Sequence, residues 1–400
     1  MRIAATRSIA AGFENIQILV AGIRMLNRSE LLAQLEQCSS ALFVDHSSEY
    51  AIARAVWEQI SADPLFIHKV KSAAPSLSLP SWQDNLDEAI PVQAGSAAYH
   101  IFSVDGSQIY PDKHQGTNCF LINVGIVELL YGSQERKPFI HTSHPYLFFE
   151  DGDEELFPVS IDLVNCRRQE YELRAALDAA KALSIAPLSV PSLLLFDGSL
   201  IFWHLDSYDV SLKQTFLSCY LLLLHQLYEQ QILMASYISL PKGKELVNLA
   251  RFALTEGMVA GYDANTSLDH VVDSSIAYGF LTPYTRSIVF KNNASISKYY
   301  PDFLRPHFFY LHLGDEIGRV EIPAWIAASE EKINLVAQII LDQSIKGRGY
   351  PVALAEAHEQ AVIKGPDRDF FYHLIYKLGF EHKKRFNLSQ KSLKKRGIGI

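Results

Sequence analysis

Hydrophobic positions in the first 95 residues recur at helical spacing. Ile16, Leu19, Val20, Ile23 and Leu26, followed by Leu31, Leu32 and Leu35, predict a mostly helical N-terminal region. A Ser- and Pro-rich stretch, Ser72 to Trp82, reads as a linker and puts a domain boundary near residue 95, giving regions 1–95 and 96–400. Past that point the pattern shifts to short runs of branched and aromatic residues. Strands are expected at His100 to Val104, within Cys119 to Leu130 and within Pro138 to Phe149, and the turn-rich joints between them favour antiparallel pairing. An acidic loop, Glu150 to Glu155, precedes a helix over Leu163 to Leu183 with Cys166, Leu173, Ala176, Leu177 and Ala180 on one face. A strand at Leu193 to Phe196, an apolar helix at Ser211 to Gln231, a strand at Leu233 to Leu240 and a helix at Gly243 to Thr255 follow.

Three strands, helix, strand, helix, strand is the order of an α/β, RNase H-like mixed sheet flanked by helices, here with an N-terminal helical region. In that fold the first strand, the first helix and the fourth strand each carry a carboxylate. Asp105, a glutamate in Arg167 to Arg174, and Asp197 occupy those places. The tripeptide Asp-Gly-Ser occurs at 105–107 and again at 197–199, each time closing a strand-forming run. Asp-Gly after a strand is commonly only a turn. Two such strands side by side would bring both carboxylates to one edge, where a divalent ion could be held against a phosphate.

Composition narrows the classes. With 400 residues, 48% hydrophobic and 20% charged, the chain can bury a large core. No apolar run reaches the ~20 residues that cross a bilayer, and the N-terminus resembles neither a signal peptide nor an anchor, so a cytoplasmic protein with no membrane partner is expected. Cys38, Cys119, Cys166 and Cys219 show no metal-ligand spacing and are expected as buried free thiols. Residues 364–400 hold ten Lys or Arg against three Asp or Glu, a balance of +7 that leaves −15 on the rest of a chain of net charge −8. An acidic body with a basic tail suits an enzyme that gathers cations and meets a polyanion. The clusters Lys383-Lys-Arg385 and Lys394-Lys-Arg396 would contact phosphate without reading bases.

Five segments carry a resemblance to a known family over roughly residues 95 to 395: Ser103-Val-Asp-Gly-Ser107, Arg168-Gln-Glu-Tyr-Glu-Leu-Arg174, Leu194-Leu-Phe-Asp-Gly-Ser-Leu200, Arg319-Val-Glu-Ile-Pro323 and Gly349-Tyr-Pro-Val-Ala-Leu-Ala-Glu-Ala-His358. Together they resemble the NurA family of DNA-repair nucleases. That resemblance implies a manganese-dependent deoxyribonuclease, with Mg²⁺ as the other possible ion. It implies 5′ to 3′ exonuclease and single-strand endonuclease activity in DNA end resection and double-strand break repair, as a homodimer beside a HerA-type hexameric ATPase. Tyr350 and His358 match the family's C-terminal active-site pair, and Glu172 is preferred to Glu170 as the helical ligand because Ala175-Ala176 follows it. The implied catalytic set is Asp105, Glu172, Asp197, Tyr350 and His358, with all but Tyr350 as metal ligands.

The donor types agree with that implication. Hard divalent cations prefer carboxylate oxygens, and manganese also accepts an imidazole. Helical phase leaves Glu170 and Glu172 on opposite flanks of the apolar face and does not choose between them. Arg286 and Arg319 could contact phosphate or pair with Glu316 or Glu321. Asp263, Asp269 and Asp273 make the 261–280 segment acidic where a DNA-facing loop would be basic. The chain has no Gly-rich Lys-Ser/Thr phosphate loop, so any motor must be a partner. Two further readings share the fold: an enzyme acting on RNA or RNA–DNA hybrids, and an inactive adaptor for an ATPase.

Overall fold

The computed structural model of the chain describes residues 26–73, 79–93, 95, 98–112, 119–133, 140–149, 157–263 and 265–381. The chain falls into two compact units, Met1–Ser48 and Glu49–Ile400. The first contains the helices Arg28–Gln37 and Ser39–Leu42. Leu31, Leu32 and Leu35 are exposed on the first helix among the described residues. Ile16 to Ile23, the acidic loop Glu150 to Glu155 and the basic clusters at 383–385 and 394–396 lie outside the described residues.

The second unit is built on one mixed sheet. Its described strands are β1 (Ile90–Pro91), β2 (Tyr99–Ile109), β3 (Cys119–Tyr131), β4 (Ile140–Phe149), β5 (Ser192–Asp197), β6 (Leu233–Ile238), β7 (Thr285–Arg286), β8 (Phe290–Lys291), β9 (Pro306–His312) and β10 (Ile317–Pro323). Their order is β1-β7-β9-β10-β6-β5-β2-β3-β4, with β8 pairing β9 beside this path. The segment β4-β3-β2-β5-β6 is the RNase H-like core: β2, β3 and β4 are antiparallel neighbours, while β5 runs parallel to both β2 and β6. β5 and β6 are nearly continuous apolar runs, which a sheet covered on both faces requires. β4 at the rim instead alternates half-buried with exposed positions.

Helices cover both faces. Ser160 caps the Ile161–Ile185 helix by accepting from the Leu163 amide at 3.1 Å, and Ala175, Ala176 and Ala180 give that helix a smooth buried side. Asp209 caps the Val210–Glu229 helix in the same way. A second core gathers Ala53, Val56, Trp57 and Ile60 with the buried side of the Glu245–Thr255 helix and with Phe290, Phe308 and Tyr310 of the β8–β10 region. Ala53, Val56, Trp57, Ile60 and Phe66 therefore share a core with residues from the second half of the chain.

Two expectations need correction. β2 does not stop at Val104: it continues as a hairpin arm, with Asp105, Gly106 and Ser107 paired to Gly125, Val124 and Asn123 of β3. Only the parallel pairing to β5 ends there, because β5 terminates at Asp197. The cysteines are all free, yet Cys38 is exposed, so the thiols are not uniformly buried. Among the described residues no helix is long and apolar enough to cross a membrane.

Candidate active site at the carboxyl edge of the sheet

The parallel register sets the first pair of carboxylates. Val104 of β2 lies beside Phe196 of β5, so the next residues, Asp105 and Asp197, emerge on neighbouring strands at the same edge. Asp105 sits directly across from Gly125 of β3, and directly opposed residues share a face of the sheet. On that face the Val352–Ala361 helix crosses so closely that a Cβ on Gly125 would lie 2.6 Å from the Ala361 nitrogen and 2.7 Å from the Ala357 oxygen. The same helix carries His358, whose Nδ1 is 2.8 Å from Asp105 Oδ2. Asp105 Oδ1 accepts from the Gly106 amide at 2.7 Å, which fixes the carboxylate plane. His358 presents Nε2 as its second donor atom, and its side chain is 61% exposed, so a ligand can reach it.

Glu172 comes from the Ile161–Ile185 helix. A Cβ on Gly106 would lie 2.5 Å from Glu172 Oε1, so the missing side chain there makes room for the glutamate to reach the edge. Glu172 Oε2 accepts from Gln169 Nε2 at 3.0 Å, while Oε1 is buried without a hydrogen-bond partner. Arg168 approaches Oε1 only to 3.7 Å and spends Nη1 on the Gly106 carbonyl at 3.1 Å. Burial, together with the neighbouring charges of Asp105 and Asp197, pushes the Glu172 carboxyl up to about 8 despite Arg168. Burial also raises Asp197, against a hydrogen bond from Tyr350.

Tyr350 thus reaches the edge through Asp197. Its hydroxyl is held protonated by burial and by the adjacent carboxylate. Its ring packs edge-on against Tyr237 at 5.7 Å, and the Tyr237 hydroxyl donates to Glu316 Oε1 at 2.6 Å. Asp105, Glu172, Asp197, Tyr350 and His358, which are scattered over more than half of the chain, are therefore brought to one edge.

Other residues named from the sequence fall elsewhere. Glu170 is buried and clamped between Arg167 at 2.7 Å and Arg174 at 2.6 Å, away from the edge. Arg286 is buried and engages Asn334, the Ser287 carbonyl and Glu330, and is no surface phosphate contact. Arg319 is likewise buried, between Glu321 and Glu245 at 2.9 Å each. Asp273 is internal too, accepting from the Glu245 and Val247 amides at 2.8 and 2.9 Å, while Asp269 pairs with Arg251 at 2.9 Å. Sequence reasoning left Arg168 without a role, although its place one turn before Glu172 was the available signal. It also missed that Ser199 of the second Asp-Gly-Ser donates to Glu321 at 2.8 Å, tying that loop to β10.

Clustered acids around a buried oxygen with no hydrogen-bond partner favour a cation. Oxygen donors with one imidazole suit a hard divalent ion, so the residues fit such a group. Their donor atoms do not all lie within 4.8 Å of one another, which is wider than a closed cage around one ion.

A five-stranded core in this order, carrying acids at its carboxyl edge, defines an RNase H-like protein with a carboxylate site. The NurA domain model matches residues 99–363, and the chain belongs to the NurA family of nucleases. Among solved structures the chain is similar to "Crystal structure of NurA" at 11% identity and TM-score 0.42, over 78% of this chain and 94% of that one. It is also similar to "Crystal structure of NurA with manganese" at 12% identity and TM-score 0.39, over 78% and 95%. A third, "Crystal structure of NurA bound to dAMP and manganese", gives 11% identity and TM-score 0.37 over 69% and 87%. No curated protein matches the chain. Family membership rests on the domain match and not on these distant overlays.

Proposed function

We propose that this NurA-family protein is a manganese-dependent deoxyribonuclease that resects DNA ends in double-strand break repair. Support comes first from one observation: Asp105 and Asp197 stand side by side at a strand edge, beside a buried Glu172 oxygen that has no hydrogen-bond partner. Asp105, Glu172, Asp197 and His358 would hold the ion, and the imidazole favours Mn²⁺ over Mg²⁺. When bound, a divalent cation supplies Lewis-acid charge to a scissile phosphate. Tyr350 keeps Asp197 oriented through its hydroxyl hydrogen bond, and Asp105 does the same for the His358 ring.

Family membership supports the finer parts of this reading: 5′ to 3′ exonuclease and single-strand endonuclease action, a homodimer, a HerA-type hexameric ATPase as partner, and a cytoplasmic location. The division of the chain into a region 1–95 and a nuclease region 96–400 belongs to the same proposal, with Ala53, Val56, Trp57, Ile60 and Phe66 of the former packed in a core shared with the latter. Purified protein tested on DNA, RNA and hybrid strands labelled at either end, with Mn²⁺, Mg²⁺ or chelator, is the direct experiment. Cleavage of DNA from the 5′ end with Mn²⁺, and none in chelator, is expected. Activity in chelator, or on RNA alone, would refute it. Light scattering on a sizing column, with and without the ATPase of the same organism, tests the assembly: a monomer that never co-elutes removes that part.

A further inference from the structure

One strand beyond Asp197 the same edge opens into a cavity of about 440 Å³. Asp197 pairs with Tyr237 of β6, and Ile238, the next residue, lines the cavity. Successive strand residues point to opposite faces, so Ile238 lines the cavity on the face of the sheet away from Tyr237, one strand over from Asp197. Ser199, Trp203, Pro241, Lys242, Lys244 and Arg319 contribute to its wall. A volume of this size falls within the range of small-ligand sites.

The charges decide what can enter. Arg319 is the buried cation of the floor, and it is engaged by Glu245 and Glu321 and lies 3.8 Å over the Phe308 ring. Burial alone would raise Glu245, but Arg319 brings it below its ordinary value, so it is ionised. The helix starting at Glu245 offers no free anion site either, because Asp273 already takes the Glu245 and Val247 amides. A phosphate therefore gains nothing inside. At the rim, Lys242 is exposed and Lys244 reaches the Asp269 carbonyl at 2.6 Å while keeping further N–H groups. Trp203, 43% exposed on the short Trp203–Ser207 helix, offers an apolar ring face.

We propose that this cavity is a base subsite of the nucleic-acid strand held at the carboxylate edge: one base stacks on Trp203 while its flanking phosphates meet Lys242 and Lys244. This rests on the nuclease reading above and adds to it the place where the strand is gripped next to the cut. Stacking of this kind tolerates any base, since every base has a π face. It therefore fits a nuclease without sequence preference.

Trp203 is also its own reporter, because Trp57 and Trp82 are buried and Trp325 is covered by Lys332 at 4.4 Å. A short single-stranded oligothymidine titrated into the full-length protein in chelator should quench tryptophan emission. The same chain with abasic residues in place of bases should not. Trp203→Ala should bind the oligothymidine roughly tenfold more weakly, and Trp203→Phe should restore most of that affinity. Equal quenching by the abasic chain, or Trp203→Ala binding as tightly as the wild type, would overturn the subsite. Because no metal is needed for this readout, a protein that quenches but never cleaves would defeat the nuclease reading alone. One that cleaves but binds equally well as Trp203→Ala would defeat the subsite alone.

Discussion

His358 Nδ1 lies 2.8 Å from Asp105 Oδ2 although 253 residues separate them in the chain. The contact depends on Gly125, which faces Asp105 across the β2–β3 ladder and lets the Val352–Ala361 helix settle onto the strands. Gly125→Ala puts a methyl group against that helix's backbone. An overpacking cost of about 1–3 kcal/mol is expected, together with a loss of cleavage as His358 is lifted away. Thermal melting and a nuclease assay measure both, and a variant with wild-type stability would disprove the close approach.

Asp105→Asn and Asp197→Asn should each abolish cleavage while leaving the melting temperature within a few degrees of wild type. Each change removes negative charge from a site that gathers it and leaves the core untouched. His358→Ala should lower cleavage more than Glu170→Ala does. Folded, contaminant-free Asp105→Asn with full activity would remove the site from consideration.

Glu172→Gln and Glu170→Ala should behave oppositely. The surroundings of Glu172 disfavour its ionised form, so the neutral amide should leave the fold at least as stable and end cleavage. Glu170 is the shared partner of Arg167 and Arg174, and its removal should destabilise. The loss should fall below the about 3–5 kcal/mol of a fully buried pair, because Arg174 remains 53% exposed. Denaturant melts of both variants, with specific activity normalised to folded protein, separate the two roles.

Asp273 gives a pH test away from the edge. Burial, and then the charge of Glu245, raise its carboxyl above the ordinary 3.8. A raised folded-state value means that its stabilising effect is complete below that ordinary value and is lost as pH rises through the higher folded one. Asp273→Asn should therefore flatten the stability profile above about pH 4. Melts of wild type and variant across pH 4 to 8 should diverge; parallel curves would show that Asp273 does not titrate as placed.

Deleting residues 383–400, which lie outside the described residues, should weaken DNA binding at low salt without changing metal dependence. The deficit should shrink as salt rises, since the lost contacts are to phosphate. Equal affinities at low salt would make the tail merely solvated.

The sequence by itself determined the strand and helix order of the core, because apolar periodicity is local: Leu163 to Leu183 was expected where the Ile161–Ile185 helix lies, and Leu193 to Phe196 where β5 lies. Its Asp-Gly-Ser repeats also marked Asp105 and Asp197. Only tertiary structure shows how the surroundings of Glu170 and Glu172 differ, since the two lie on opposite flanks of the helix and meet different partners across space: Arg167 and Arg174 for one, the bare Gly106 for the other. It also decided that Arg319 is an internal cation, because its partner Glu245 lies 74 residues away in the chain, beyond any local pattern. Local spacing fixes which face a residue occupies; strand register and helix crossing fix what that face meets.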